Sequence, residues 1–160
     1  MDRMERIAIE HECTRLAYGF CNHVDFQEYD QFVALWAPDG VWETWKGPIT
    51  GPAAIRAYLD ARPKGEVSRH HCTNVVIDVI DATRARGRAY FSFYVAKPGT
   101  DDGKGAGVLT GPAVVGEYRD EFKLTPEGWR FARRGTDIAL ALEAPASGPM
   151  PRHATAPRRG

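Results

Sequence analysis

The 160-residue sequence lacks a surplus of either charge: 21 Lys and Arg balance 21 Asp and Glu. A phosphate backbone is neutralised by a basic excess, so this balance argues against nucleic acid as a partner, and equally against electrostatic attachment to a membrane surface. Cysteine is scarce. Cys13, Cys21 and Cys72 are odd in number and show no CxxC spacing, which excludes a disulfide framework or a thiolate zinc site and fits a reducing, cytoplasmic setting. No apolar run approaches the length of a membrane span. The opening MDRMERIAIEHE has no apolar core and does not read as a signal peptide. The five histidines, His11, His23, His70, His71 and His153, show no ligand spacing among carboxylates, so no metal is expected.

What is present is a core. Hydrophobic residues make up 43% of the chain, too many for disorder and enough for one domain. Ile9, Cys13, Leu16 and Phe20 follow the 4-3-4 spacing of one buried helix face, which predicts a helix over 3–24. A second helix is expected over 26–36, a short strand over Val41–Trp45 broken by Gly47-Pro48, and a third helix opened by Gly51-Pro52. From there the period becomes two, with strands expected near 69–80, 86–96, 111–124 and 128–140. The Gly-rich stretch 97–110 reads as an exposed hairpin loop. It lacks the GxxxxGK[ST] pattern of a phosphate loop. Helices followed by an antiparallel meander make an α+β domain over 1–143. The remaining 144–160 read as a Pro- and Arg-containing tail, whose Arg152, Arg158 and Arg159 have no acid among them.

Four segments, in order, resemble the SnoaL-like members of the nuclear transport factor 2 superfamily. They are Asp25–Trp42 (DFQEYDQFVALWAPDGVW), Gly51–Arg56 (GPAAIR), Arg69–Asn74 (RHHCTN) and Gly128–Arg134 (GWRFARR). The resemblance implies a cone-shaped, curved antiparallel sheet wrapped around N-terminal helices and enclosing one pocket. Within the superfamily it is nearest to scytalone dehydratases and hexachlorocyclohexane dehydrochlorinases, which use an Asp–His dyad. It thereby implies Asp25 and His70 as the dyad and Arg134 as a third catalytic residue. The activity implied is that of a cofactor-independent lyase or isomerase acting on a small, partly apolar, cyclic molecule. Asn74, Tyr18, Trp42, Phe91 and Tyr118 are candidate substrate-binding residues, with Trp36, Trp45 and Phe93 as further aromatic lining. The same fold also hosts modules that bind small molecules or assemble without chemistry, so fold alone does not decide function.

A histidine suits proton abstraction because its ordinary pKa lies near neutral pH, and a carboxylate on one ring nitrogen leaves the other free as the base. Strict alternation conflicts with this assignment. It puts His71, Thr73, Val75, Ile77 and Val79 on one face, the more apolar, and His70 on the other with Cys72 and Asn74. Likewise Trp129 and Phe131 share a face with Arg133 and not with Arg134. Either a β-bulge or a dimer that covers the Val75–Val79 face reconciles the two readings. Two apolar sheet faces in one chain lead to the expectation of a homo-oligomer, dimer or trimer.

Overall fold

The computed structural model describes residues 1–63, 65–96, 105–109 and 113–141. The 144–160 tail and most of the expected 97–110 loop lie outside the described residues.

Helix α1 spans Arg3–Asp25. Its start is fixed by a capping box, in which the Glu5 amide donates to Asp2 Oδ1 at 2.8 Å and the Asp2 amide donates to Glu5 Oε2 at 2.7 Å. The apolar face read from the sequence is the one that is buried. Helix α2 (Tyr29–Val33) is shorter than the expected 26–36. Leu35 and Trp36 leave the helix because a strand claims their backbone: the Phe131 amide donates to the Leu35 carbonyl at 2.9 Å, and Trp36 pairs with Phe131. Strand β1 therefore runs Trp36–Thr44, longer than expected. Gly47-Pro48 does not end the sheet either. Gly47, at φ 118°, turns the chain into β2 (Gly47–Thr50), and the Thr44 hydroxyl donates to the Gly47 carbonyl across the turn. Helix α3 (Pro52–Asp60) follows, with Ile55 and Leu59 buried.

Strands β3 (Val67–Val79), β4 (Arg84–Ala96), β5 (Val114–Thr125) and β6 (Gly128–Ala141) form the expected antiparallel meander. The sheet is curved and open, in the order β2-β1-β6-β5-β4-β3, with β1 parallel to β6. Helix α1 packs on its inner face, and a single cluster of buried residues fills the space between them.

Two bulges decide which residues face inward. On β3, Thr73 pairs with Tyr90 and Val76 with Arg88, so Asn74 and Val75 together oppose Ala89. Asn74 has φ 53°, a left-handed conformation that asparagine tolerates better than most residues. Before the bulge, His70 and Cys72 sit opposite the inward Phe93 and Phe91. After it, Ile77 and Val79 sit opposite the inward Gly87 and Ala85. On β6, Phe131 pairs with Phe122 but Arg133 with Glu121, so Ala132 is the additional residue and Arg134 shares the face of Phe131. The conflict in the sequence pattern is thus resolved by bulges, not by a dimer that covers Val75–Val79. Val75 and Ile77 pack on the core. The outer face carries instead a row of alternating charge, Asp78–Arg86–Glu121–Arg133, one residue per strand.

Candidate active site

Asp25 is the last residue of α1, where a carboxylate meets the negative end of the helix dipole. Three donors offset that position. The His70 amide donates to Oδ2 at 2.6 Å, the Ser68 hydroxyl to Oδ1 at 2.7 Å, and His70 Nδ1 lies 2.7 Å from Oδ1. Burial raises the Asp25 carboxyl. The bonds from His70 and Ser68 more than offset this, so the group stays below its ordinary value. An ionised carboxylate can only accept, so His70 Nδ1 carries the proton and Nε2 is left as the basic nitrogen. No hydrogen bond to Nε2 occurs among the described residues. Arg62 braces the group from behind. Its guanidinium bonds Glu66 at 2.7 Å, and it reaches Ser68 Oγ and the Val24 carbonyl, each at 3.3 Å.

The dyad lies where solvent still reaches the inner face. The His70 side chain is 14% exposed and that of Asp25 5%. The His70 ring packs on Phe93 at 4.5 Å, and Phe93 and Cys72 are likewise only half-buried. Deeper in, the cone is filled with rings. Phe20 contacts Phe32, Trp36, Trp42, Tyr118 and Phe131, and Phe91 stacks on Tyr118 with centroids 4.4 Å apart.

Arg134 is embedded in those rings and is fully buried. Its Cζ lies 4.4 Å from the Phe20 centroid, 4.1 Å from Tyr118 and 4.5 Å from Phe131. Nε and Nη2 grip Asp120 in a bidentate pair, both at 2.7 Å. Burial works against the Arg134 charge, and Asp120 restores it with a surplus, so the guanidinium is held cationic. Burial pushes the Asp120 carboxyl up, and Arg134 pulls it part of the way back. Among the described residues the third nitrogen, Nη1, has no hydrogen-bond partner, and neither does Trp36 Nε1. These are two buried donors without an acceptor.

The structure brings Asp25 and His70 together, and places Arg134, Trp42, Phe91 and Tyr118 in one interior. It leaves Tyr18, Trp45 and Asn74 out. Tyr18 is 43% exposed on α1, Trp45 is exposed, and Asn74 is exposed at the β3 bulge. Tyr18 departs from its expected role because the face that sinks is defined by Phe20 and Cys21. Asn74 departs because its backbone makes the bulge. Two open cavities, of about 540 and 420 Å³, lie on the opposite, outer face and share Arg88 and Arg119. Neither is lined by Asp25 or His70, so the site is defined by the dyad and not by cavity size. Sequence reasoning missed Ser68 and Asp120. Ser68 is visible in retrospect, two residues before His70 on the same face. Asp120 carries no local signal, because its partner is on the next strand. Among the described residues no cluster of His, Cys, Asp and Glu has a geometry suited to a metal.

The SnoaL-like domain pattern matches residues 5–135. The chain belongs to the SnoaL-like family. No curated protein matches this SnoaL-like chain. Solved structures similar to it include a hexachlorocyclohexane dehydrochlorinase of LinA type 3 from Novosphingobium barchaimii LL02, at 16% identity and a TM-score of 0.72, over 94% of this chain and 99% of that one. A candidate scytalone dehydratase from Novosphingobium aromaticivorans is 18% identical, with a TM-score of 0.70 over 96% and 100% of the two chains. A function-unknown protein from Mycobacterium tuberculosis is 23% identical, with a TM-score of 0.70 over 89% and 79%. At these identities the likeness establishes the SnoaL-like fold.

Proposed function

We propose that the chain is a cofactor-independent lyase or isomerase that removes a proton from a small, partly apolar, cyclic substrate. The observation that carries this reading is the 2.7 Å contact between Asp25 Oδ1 and His70 Nδ1, with Nε2 unpartnered on the solvent-reached side of the cone. Nε2 takes a proton from a carbon next to an electron-withdrawing group. The carbon's electron pair then forms a double bond as a leaving group departs, or returns to a proton at another carbon. The imidazolium so formed is stabilised by the Asp25 carboxylate. Arg134 Nη1, cationic and unpartnered, offers a donor to the developing anion. Trp42 and Phe91 supply apolar walls.

The test is proton exchange, which needs no knowledge of the leaving group. In D₂O, NMR of a panel of cyclic ketones and β-substituted cyclic ketones should show enzyme-dependent exchange or alkene formation that His70→Ala abolishes. Turnover unaffected by His70→Ala would sink the reading. Its rival is a non-catalytic small-molecule-binding module, favoured by the extent to which rings fill the deep interior. A cytoplasmic setting and a homo-oligomer belong to the same proposal. The free cysteines support the first, and the exposed Val76, Tyr90 and Leu140 support the second.

A further inference from the structure

Ser68 is the member of the site whose proton has a choice of direction. A hydroxyl carries one hydrogen and two lone pairs, so it can donate to one neighbour while accepting from another. Among the described residues the Ser68 hydroxyl has two such neighbours, Asp25 Oδ1 at 2.7 Å and Arg62 Nη2 at 3.3 Å. A guanidinium donates and never accepts, so the Ser68 hydrogen cannot point at Arg62. Ser68 is 1% exposed, which keeps bulk water from taking the hydrogen instead. The hydrogen therefore points at Asp25. We propose that Arg62 is a positioning residue for the dyad. It sets the direction of a hydrogen-bond chain, from Arg62 to Ser68 to Asp25, that keeps Asp25 Oδ1 an acceptor for His70 Nδ1–H. The proposal rests on the reading of Asp25 and His70 as the reacting pair.

Arg62 is itself held in place. Nη2 also donates to Glu66 Oε1 at 2.7 Å, and Nη1 donates to the Val24 carbonyl at 3.3 Å. Val24 belongs to the last turn of α1, whose final carbonyls have no partner within the helix. The guanidinium thus lies at the negative end of the helix dipole, where Asp25 adds a carboxylate. The other carboxylate oxygen, Oδ2, accepts from the His70 amide. Both oxygens of Asp25 therefore face donors, and neither is left to carry a proton. A reversed Ser68 hydroxyl would bring oxygen lone pairs together at the 2.7 Å contact. The repulsion would move Asp25 or favour its protonated form. Either result loosens the bond that holds the proton on His70 Nδ1. A donor-only side chain at position 62 prevents the reversal, and one that can also accept does not.

The test contrasts two substitutions. Arg62→Lys still only donates, whereas Arg62→Gln offers a carbonyl oxygen to which the Ser68 hydroxyl can turn. The readout is the His70 Nδ1 proton, observed by proton NMR at about pH 7.5, above the ordinary histidine range, with no substrate present. His70→Ala identifies the resonance. Its exchange with water should be about fivefold faster in Arg62→Gln, the equivalent of about one hydrogen bond, and within about twofold of the parent in Arg62→Lys. Ser68→Ala should match Arg62→Gln, and the two combined should be no faster than Ser68→Ala, because Arg62 acts through that hydroxyl. Should Arg62→Gln not fold, Arg62→Met takes its place with the same rise expected. On a substrate that the deuterium-exchange assay identifies, Arg62→Gln should lower kcat about fivefold and leave KM unchanged, since Arg62 lies behind Asp25. Equal exchange in Arg62→Gln and Arg62→Lys overturns the proposal. So does a combined variant faster than Ser68→Ala, or a parent protein without the His70 Nδ1 resonance. The two readings fail separately. A parental exchange rate in Arg62→Gln, with turnover still lost in His70→Ala, removes the role of Arg62 and keeps the lyase or isomerase. A resonance that responds as expected in a protein that turns nothing over keeps the role of Arg62 and removes the enzyme.

Discussion

Among the described residues, two acid–base pairs lie against the inner face of the sheet, and they are built to opposite ends. Asp120–Arg134 is sealed: side-chain exposures are 1% and 0%, the contact is bidentate, and aromatic rings surround the cation. Asp25–His70 spans a helix end and a strand, keeps one ring nitrogen unpartnered and stays in touch with solvent. A pair that has spent its hydrogen bonds on itself holds a fold together. A pair with one functional atom left over can act on something else. Arg134 falls partly between the two, because its Nη1 is unspent.

The first way to break the comparison is in rate. His70→Ala and Asp25→Asn should each cost about 10³–10⁴-fold in turnover on a substrate that the exchange assay identifies, with the fold retained. The double variant should be scarcely worse than either single one, because residues that act as a unit are not additive. Stability probes the sealed pair. Asp120→Ala leaves a buried guanidinium uncompensated and should cost about 3–5 kcal/mol in denaturant unfolding. Replacing both partners, Asp120→Leu with Arg134→Met, should recover much of that loss. If Asp120→Ala proves harmless, the pair is not the structural element described above.

Smaller effects sharpen the contrast. Ser68→Ala removes one of three donors to Asp25 and should destabilise by about 1 kcal/mol. Acid gives a signature of the dyad. The folded Asp25 carboxyl lies below its unfolded value, so its stabilisation is complete above about pH 4 and drains away as pH falls through the lower folded value. Thermal melting between pH 5 and 2 should therefore show an acid loss that is reduced in Asp25→Asn. Least of all, His71→Ala should change stability by only about 0.5 kcal/mol and leave turnover intact, since His71 is exposed on the outer face against Tyr94.

How far the sequence carried these distinctions depends on range. The α1 stripe was legible because four residues at helical spacing repeat a local rule. So were the hairpin turns at Asp81–Thr83 and Thr125–Gly128. The early end of α2 was not, since β6 takes the Leu35 carbonyl from almost a hundred residues away. The dyad came from resemblance, and periodicity opposed it. The bulges that remove the opposition are matters of strand pairing, fixed by which residue opposes Ala89 and which opposes Phe122. The only local hint at the first was an asparagine.

That asparagine makes the location of the site a question of parity. Before Asn74 it is the even-numbered residues of β3 that face inward, and after the bulge the odd-numbered ones, so that His70, Cys72, Ile77 and Val79 all point inward. Removing the single residue Asn74 would leave all of these side chains in the chain and still force a choice. The strand would have to carry either its chemistry or its hydrophobic anchor out into solvent. In this part of the molecule a one-residue deletion acts as an inversion, and alignments of related chains that slide a gap across positions 73–76 exchange the inside of the protein for its outside.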